Sequence, residues 1–90
     1  MANKNCVMFR LKYPLQIEDL PRRLSNLAER TQSLAVYESN VRFGFAVEAN
    51  SEERKKIRNI ICEVKTNIYQ NIDWSIVPYS KDREEKVLQK

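Results

Sequence analysis

The stretch LAVYESNVRFGFAVEA at residues 34–49 decides the fold, because it contains two strand-like runs joined by one short turn. The first run covers residues 34–38, and the second covers residues 41–49. Ser39 and Asn40 separate them, and asparagine tolerates the left-handed backbone conformation that a two-residue hairpin turn uses. We therefore predict an antiparallel hairpin with Ser39 and Asn40 in its turn.

Pairing Glu38 with Val41 sets a hairpin register in which the larger apolar side chains of both strands share one face. Residues directly opposite each other in an antiparallel pair point to the same side of the sheet. This register places Tyr37 and Arg42 together on the face away from the core. The opposed pairs that it predicts are Leu34 with Phe45, Ala35 with Gly44, Val36 with Phe43 and Tyr37 with Arg42.

A strand and a helix are predicted before the hairpin, and a helix and a strand after it. Residues 6–13 alternate between apolar and polar side chains, which is typical of a half-buried strand. Residues 17–30 repeat apolar side chains at helical spacing, and so do residues 57–68. Residues 72–79 alternate again, and Pro78 fits an edge strand.

The element order β-α-β-β-α-β resembles the ferredoxin-like split fold, an α+β sandwich. Right-handed crossovers place the four antiparallel strands in the order 4-1-3-2, with both helices on one face of the sheet. Residues 1–80 are predicted to form this single domain, followed by a charged C-terminal tail at residues 81–90. The sheet residues predicted to face the core are Val7, Phe9, Leu11, Leu34, Val36, Val41, Phe43, Phe45, Val47, Trp74 and Ile76.

Composition narrows the possible functions. The chain has 90 residues, with 16 basic and 12 acidic side chains and a net charge of +4. This balance suits an anionic partner without requiring one. No histidine is present, which removes the commonest general base and the commonest metal ligand. We therefore expect no enzymatic activity, no metal site and no other cofactor.

Cysteine usage and hydropathy indicate where the chain acts. Cys6 and Cys62 are far apart in the sequence and are predicted to be free buried thiols, with a disulfide as the alternative. No apolar run reaches the roughly 20 residues that span a membrane. The N-terminal residues carry no secretory pattern. The expected location is cytoplasmic, with no membrane partner.

The sheet face opposite the helices is the predicted binding surface. It combines cations with aromatic rings, the combination with which open sheets bind single-stranded nucleic acid. We therefore predict a small non-enzymatic module that binds nucleic acid, either RNA or DNA. The alternative is protein–protein interaction or homo-oligomerisation through the same face, and a homo-oligomer is expected in either case. The predicted site residues are Met8, Arg10, Lys12, Tyr37, Arg42 and Tyr79.

The string RFGFAVE at residues 42–48 resembles the RNP1 motif of RNA-recognition domains, and it falls on the third strand as it does in that family. In RNP1 the stacking aromatic rings point to the open face of the sheet. If Phe43 and Phe45 pointed outward here, Arg42 and Glu48 would be buried, and burying an unpaired charge is costly. Both phenylalanines are therefore predicted to lie in the core.

The remaining patterns imply no further chemistry. The length and element order resemble those of nucleases associated with CRISPR adaptation, which hold a metal through an acid at the end of the first strand. Residues 10–14 contain no acid. ACT-type regulatory domains use a glycine-containing turn that residues 13–16 lack. The basic run at residues 54–58 is predicted to be the solvated face of the second helix, with phosphate contact as the alternative.

Overall fold

The computed structural model describes residues 4–14 and 17–79, so the predicted tail at residues 81–90 lies outside the described residues. The elements in chain order are β1 (Lys4–Arg10), α1 (Leu20–Arg30), β2 (Leu34–Ser39), β3 (Arg42–Glu48), α2 (Glu53–Asn67) and β4 (Asp73–Pro78). The strands pair antiparallel in one four-stranded sheet of order β2-β3-β1-β4, which reads 4-1-3-2 from the β4 edge. The predicted α+β class, with two helices and an antiparallel sheet of four strands, is confirmed.

Both helices pack on the same face of the sheet and form the main core with it. Leu24 of α1 and Ile60 of α2 are fully buried there. The Phe9 ring centroid lies 5.9 Å from that of Phe43 and 6.1 Å from that of Phe45. The predicted burial of the two phenylalanines of the RNP1-like string is therefore confirmed, and neither ring is available to stack on a ligand.

The predicted hairpin register is wrong by one residue along β2. The observed pairs are Leu34 with Ala46, Ala35 with Phe45, Val36 with Gly44 and Tyr37 with Phe43. A slip of one residue moves every side chain of a strand to the opposite face. Leu34 and Val36 therefore lie on the face away from the helices, called the second face below, while Ala35 and Tyr37 pack against the main core.

The slip of one residue is the net result of the turn and of an irregularity within β2. β2 continues to Ser39, which pairs with Arg42, and this leaves Asn40 and Val41 as the turn residues. Asn40 does not adopt a positive φ, so the predicted left-handed turn is absent. The Ser39 hydroxyl instead accepts a hydrogen bond from the N–H of Val41 at 3.2 Å. The pairing of Ser39 with Arg42 alone would shift β2 by two residues and leave its faces as predicted. The irregularity between Tyr37 and Ser39 reduces the shift to one residue, and this turns Tyr37 and the residues before it to the opposite faces.

Two predicted core residues of β4 are only half covered. Trp74 and Ile76 point to the helix side, as expected, but they remain 44% and 48% exposed. The reason is that α1 packs chiefly on β2 and α2 on β3, while β4 is an edge strand that, among the described strands, pairs with β1 alone. Facing the helix layer is therefore not sufficient for burial at this edge.

The two cysteines lie in different environments. Neither forms a disulfide; Cys6 is buried, and Cys62 is exposed on α2. The prediction of two buried thiols is wrong for Cys62, because the buried stripe of α2 consists of Ile57, Ile60 and Val64. Within the described ranges, neither helix is long and apolar enough to cross a membrane.

Replacing Gly44 with alanine is expected to destabilise the fold by about 1–3 kcal/mol through overpacking. A Cβ at this position would lie 2.6 Å from the carbonyl oxygen of Val7 and would also meet the sulfur of Met8. The backbone oxygen cannot yield without disturbing the pairing of β1 with β3. Urea unfolding measures the loss, and Ser75→Ala on exposed β4 is the control. If the urea concentration at the midpoint of unfolding is the same for Gly44→Ala and wild type, the close approach of β1 to Gly44 is wrong.

The thiol environments predict a two-step reaction with a disulfide reagent such as DTNB. Cys62 should react rapidly in the folded protein because it is exposed, and Cys6 should react only as the protein unfolds. The Cys62→Ser variant should lose the fast step, and the conservative Cys6→Ser variant should keep it. Rapid reaction of both thiols in the native wild type would show that the burial of Cys6 is wrong.

Candidate functional site

The centre of the second face is apolar and closed to solvent. It contains Cys6, Met8, Val36 and Ala46, none of which is more than 3% exposed. The Cys6 thiol donates a hydrogen bond to the sulfur of Met8 at 3.3 Å. Met8 is therefore a packing residue, and its predicted role as an exposed contact residue is wrong. Alternation had indicated the face on which Met8 lies but not how well its neighbours cover it.

The six predicted site residues do not form one surface. Arg10, Lys12 and Arg42 are exposed at one end of the sheet. Tyr79 is half-buried at the opposite end, where the Lys4 ammonium lies 5.7 Å from its ring centroid. Tyr37 is not on this face, because the register slip turns it towards the helices.

Two arginines lie side by side on the second face. Arg10 of β1 is directly opposite Arg42 of β3, and Asp73 of β4 is opposite Arg10 on its other side. The Arg42 Nε atom donates to a carboxylate oxygen of Glu38 at 2.9 Å. Arg10, Arg42, Asp73 and Ser75 border a shallow cavity of about 290 Å³. Of the residues that the structure describes, none forms an ion pair with Arg10 or Lys12.

Tyr13 adds an aromatic ring to this end of the sheet. It is 69% exposed, and the Lys12 ammonium lies 5.6 Å from its ring centroid. The sequence pattern placed Tyr13 on the core side of the first strand, but β1 ends at Arg10 and the alternation stops there. Pro14, directly after it, was the available signal that the strand had ended. Arg10, Lys12, Tyr13 and Arg42 are called the basic end below.

A second surface, which the sequence did not reveal, lies on the helix side between α2 and β4. It is a groove of about 720 Å³ with Trp74 and Ile76 of β4 on one side and Ile57 and Ile61 of α2 on the other. The available signal was the combination of two large apolar residues with Pro78 in one strand, because an edge strand is incompletely covered. This surface is called the edge groove.

The rim of the edge groove is positively charged. Arg54, Arg58 and Lys65 of α2 line it together with one acid, Glu53. A carboxylate oxygen of Glu53 already accepts a hydrogen bond from the side-chain amide of Asn5 at 2.8 Å. The cations are exposed, so the groove combines an apolar floor with an unbalanced positive rim.

Clusters of metal-ligating side chains and buried polar atoms without a hydrogen-bond partner are two features that can mark a functional site. In residues 4–14 and 17–79, no three cysteine, aspartate or glutamate side chains come together in a way that could hold a metal ion. No buried side-chain nitrogen or oxygen atom in those ranges lacks a hydrogen-bond partner. The chemical features that remain are the exposed cations, the exposed rings and the apolar floor of the edge groove.

No protein-family model, curated protein or solved structure matches this chain. The basic end and the edge groove are therefore the features from which its function has to be argued.

Proposed function

We propose that this chain is a non-enzymatic, ferredoxin-like binding module that holds single-stranded nucleic acid at its basic end. The strand order β2-β3-β1-β4 with two helices on one face supports the ferredoxin-like assignment. Cys6 and Cys62 form no disulfide, which is in keeping with action in the reducing cytoplasm.

The direct opposition of Arg10 and Arg42 is the observation that carries this proposal. Like charges directly opposite each other destabilise an antiparallel pair. Departures from local rules of this kind are expected where a protein binds its ligand. A phosphate between the two guanidinium groups would accept hydrogen bonds from both and remove their repulsion.

Lys12 and Tyr13 extend this anion site in a way that suits a single strand. An exposed ring offers a stacking surface to any base, and a neighbouring cation contacts the backbone. Tyr13 is the most exposed large hydrophobic side chain among the described residues. The proposed ligand contacts are therefore Arg10, Lys12, Tyr13 and Arg42, with Tyr13 taking the stacking role that the sequence had given to Tyr37 and Tyr79.

Homo-oligomerisation through the second face has less support. The apolar residues at the centre of that face, including Met8 and Val36, are already buried. Removal of apolar surface from water stabilises association, and covering these residues with a second copy would remove little more of it. The exposed apolar surface of the described residues lies instead at Tyr13, at Tyr69 and in the edge groove.

The double variant Arg10→Ala/Arg42→Ala is expected to lose most of its affinity for single-stranded RNA and DNA. Fluorescence anisotropy with labelled oligonucleotides at about 50 and 200 mM salt measures the binding and its salt dependence. The plot of log affinity against log salt has a negative slope, and it should become shallower by about 0.7 for each phosphate contact removed. The matched control, Arg22→Ala/Arg23→Ala, makes the same change in net charge on the exposed surface of α1.

Two outcomes of this titration would contradict the proposal. If wild type fails to bind either oligonucleotide at the lower salt, the module has another ligand. If both double variants lose affinity equally, the binding depends on net charge alone, and the basic end is not a site. Recording the mass in solution alongside tests the expected homo-oligomer.

Glu38→Gln is expected to raise nucleic-acid affinity, because it removes the carboxylate that pairs with Arg42. The expected gain is about two- to fivefold, the size of a surface ion pair. Glu48→Gln, at the opposite end of β3, makes the same chemical change far from the arginines and is the control. An equal gain in both variants would attribute the effect to net charge rather than to release of Arg42.

A further inference from the structure

We infer that the edge groove binds an extended acidic segment of a partner protein, which adds to β4 as a fifth strand. This site is separate from the proposed nucleic-acid site. It lies on the helix side of the sheet and uses none of the residues of the basic end. The inference depends on the backbone of β4, the exposed side chains beside it and the charge of the rim.

Among the described residues, no strand pairs with the outer edge of β4, where the backbone groups of Trp74 and Ile76 lie. The N–H of Tyr79 donates to the carbonyl of Lys4 at 3.0 Å, so this opposed pair is hydrogen-bonded. Hydrogen-bonded and non-hydrogen-bonded pairs alternate along an antiparallel ladder. Counting back from Tyr79, Trp74 and Ile76 occupy non-hydrogen-bonded pairs with β1. Their N–H and C=O groups therefore point to the free edge, where an added strand can pair with them.

Pro78 is compatible with an added strand and limits the length over which that strand can pair with β4. By the same alternation its nitrogen faces the free edge, so its missing N–H removes no hydrogen bond from the β1–β4 ladder. An added strand can pair with Trp74 and Ile76 but finds no donor at Pro78. The partner segment is therefore short and lies against residues 74–77.

The side chains beside this edge are suited to hold a partner strand. Natural edge strands are usually protected by charges, bulges or covering segments. Here Trp74 and Ile76 are 44% and 48% exposed and face a groove of about 720 Å³. Alternate side chains of an added strand would enter this groove, and large apolar groups there would complete the burial of both residues.

The rim selects the chemistry of the partner. Arg54, Arg58 and Lys65 face the groove against the single acid Glu53. A partner segment with carboxylates among its groove-facing side chains would neutralise these cations, and electrostatic complementarity of this kind gives specificity. A basic segment would be repelled.

The same charges argue against a second copy of this chain in the groove. Two β4 strands paired about a twofold axis would place both α2 helices on the same side of a continuous sheet. Arg54, Arg58 and Lys65 of each copy would then face the same cations of the other copy. Like charges brought together across an interface disfavour association, so an acidic partner is favoured over self-association.

The probe for this site is a labelled peptide of about nine residues, which is within the length range of a strand and extends past residues 74–77 at both ends. Valine and glutamate alternate on one of its faces, and threonine occupies every position on the other face. Trp74 is the only tryptophan in the chain, so its emission should shift to the blue when the peptide covers it. Anisotropy of the labelled peptide gives the affinity for variants that lack Trp74.

Trp74→Ala should weaken peptide binding by about tenfold or more, as truncation of an interface aromatic does. Arg58→Glu/Lys65→Glu, on the exposed surface of α2, should weaken it comparably without touching the core. The controls are Tyr13→Ala, which removes an exposed ring elsewhere, and Arg22→Glu/Arg23→Glu, which reverses the same charges on α1. Both controls should bind the peptide like wild type.

Two peptide changes test the mode of binding. Replacing glutamate by lysine should abolish binding if the rim selects acids. Two N-methylated peptides are compared, one methylated at the odd-numbered backbone amides and one at the even-numbered amides. One of them should fail to bind and the other should bind, because only one of the two sets of amides faces β4 in an added strand. Equal binding of the two methylated peptides would overturn strand addition.

The proposal is overturned if wild type does not bind the acidic peptide, or if the lysine peptide binds equally well. A mass of two chains that Trp74→Ala reduces to one would assign the groove to a second copy and would also overturn it. Displacement of the peptide by single-stranded RNA, retained in Arg10→Ala/Arg42→Ala, would assign the groove to nucleic acid instead. Failure of the oligonucleotide titration leaves these outcomes unaffected, because the side chains proposed to contact the oligonucleotide differ from those proposed to contact the peptide. Trp74 also lines the cavity beside Arg10 and Arg42, so Arg58→Glu/Lys65→Glu is the variant that tests the groove alone.

Discussion

The uninterrupted pairing of β1 with β3 is the constraint on which the rest of the structure depends. It runs from Lys4 opposite Glu48 to Arg10 opposite Arg42, without a bulge. Along this ladder the missing side chain of Gly44 lets the two strands approach beneath Met8. The same ladder brings two arginines together at its end, so the core and the basic end result from one register.

The helix layer covers the sheet unevenly and leaves the β4 edge partly exposed. α1 and α2 pack chiefly on β2 and β3, and β4 gains its main support from β1 alone. Trp74 and Ile76 are therefore oriented like core residues but are only half covered. A small domain buries a limited fraction of its surface, and this uncovered edge is where the described part of the chain has most to gain from a partner.

Sequence patterns predicted the faces of β1, β3 and β4 because each of these strands carries its bulky apolar residues mainly on one side. They failed for β2, where Leu34 and Val36 alternate with Ala35 and Tyr37, so that both faces are apolar and either register is acceptable. The choice between the registers rests on the turn after Ser39 together with the irregularity between Tyr37 and Ser39, and hydrophobic alternation reports neither. This single ambiguity removed Tyr37 from the predicted site.

The sequence by itself determined the element order, the α+β class, the placement of the two RNP1-like phenylalanines in the core and the lack of histidine chemistry. The spacing of apolar residues within one segment is sufficient for the first three properties, because it predicts whether that segment is a strand or a helix and which of its side chains face the core, and composition is sufficient for the last. Only the tertiary structure decided that Met8 is covered, that Tyr13 is exposed and that Trp74 borders a groove. The extent to which a side chain is buried depends on neighbours from distant segments, and no pattern within one strand specifies how closely those neighbours pack.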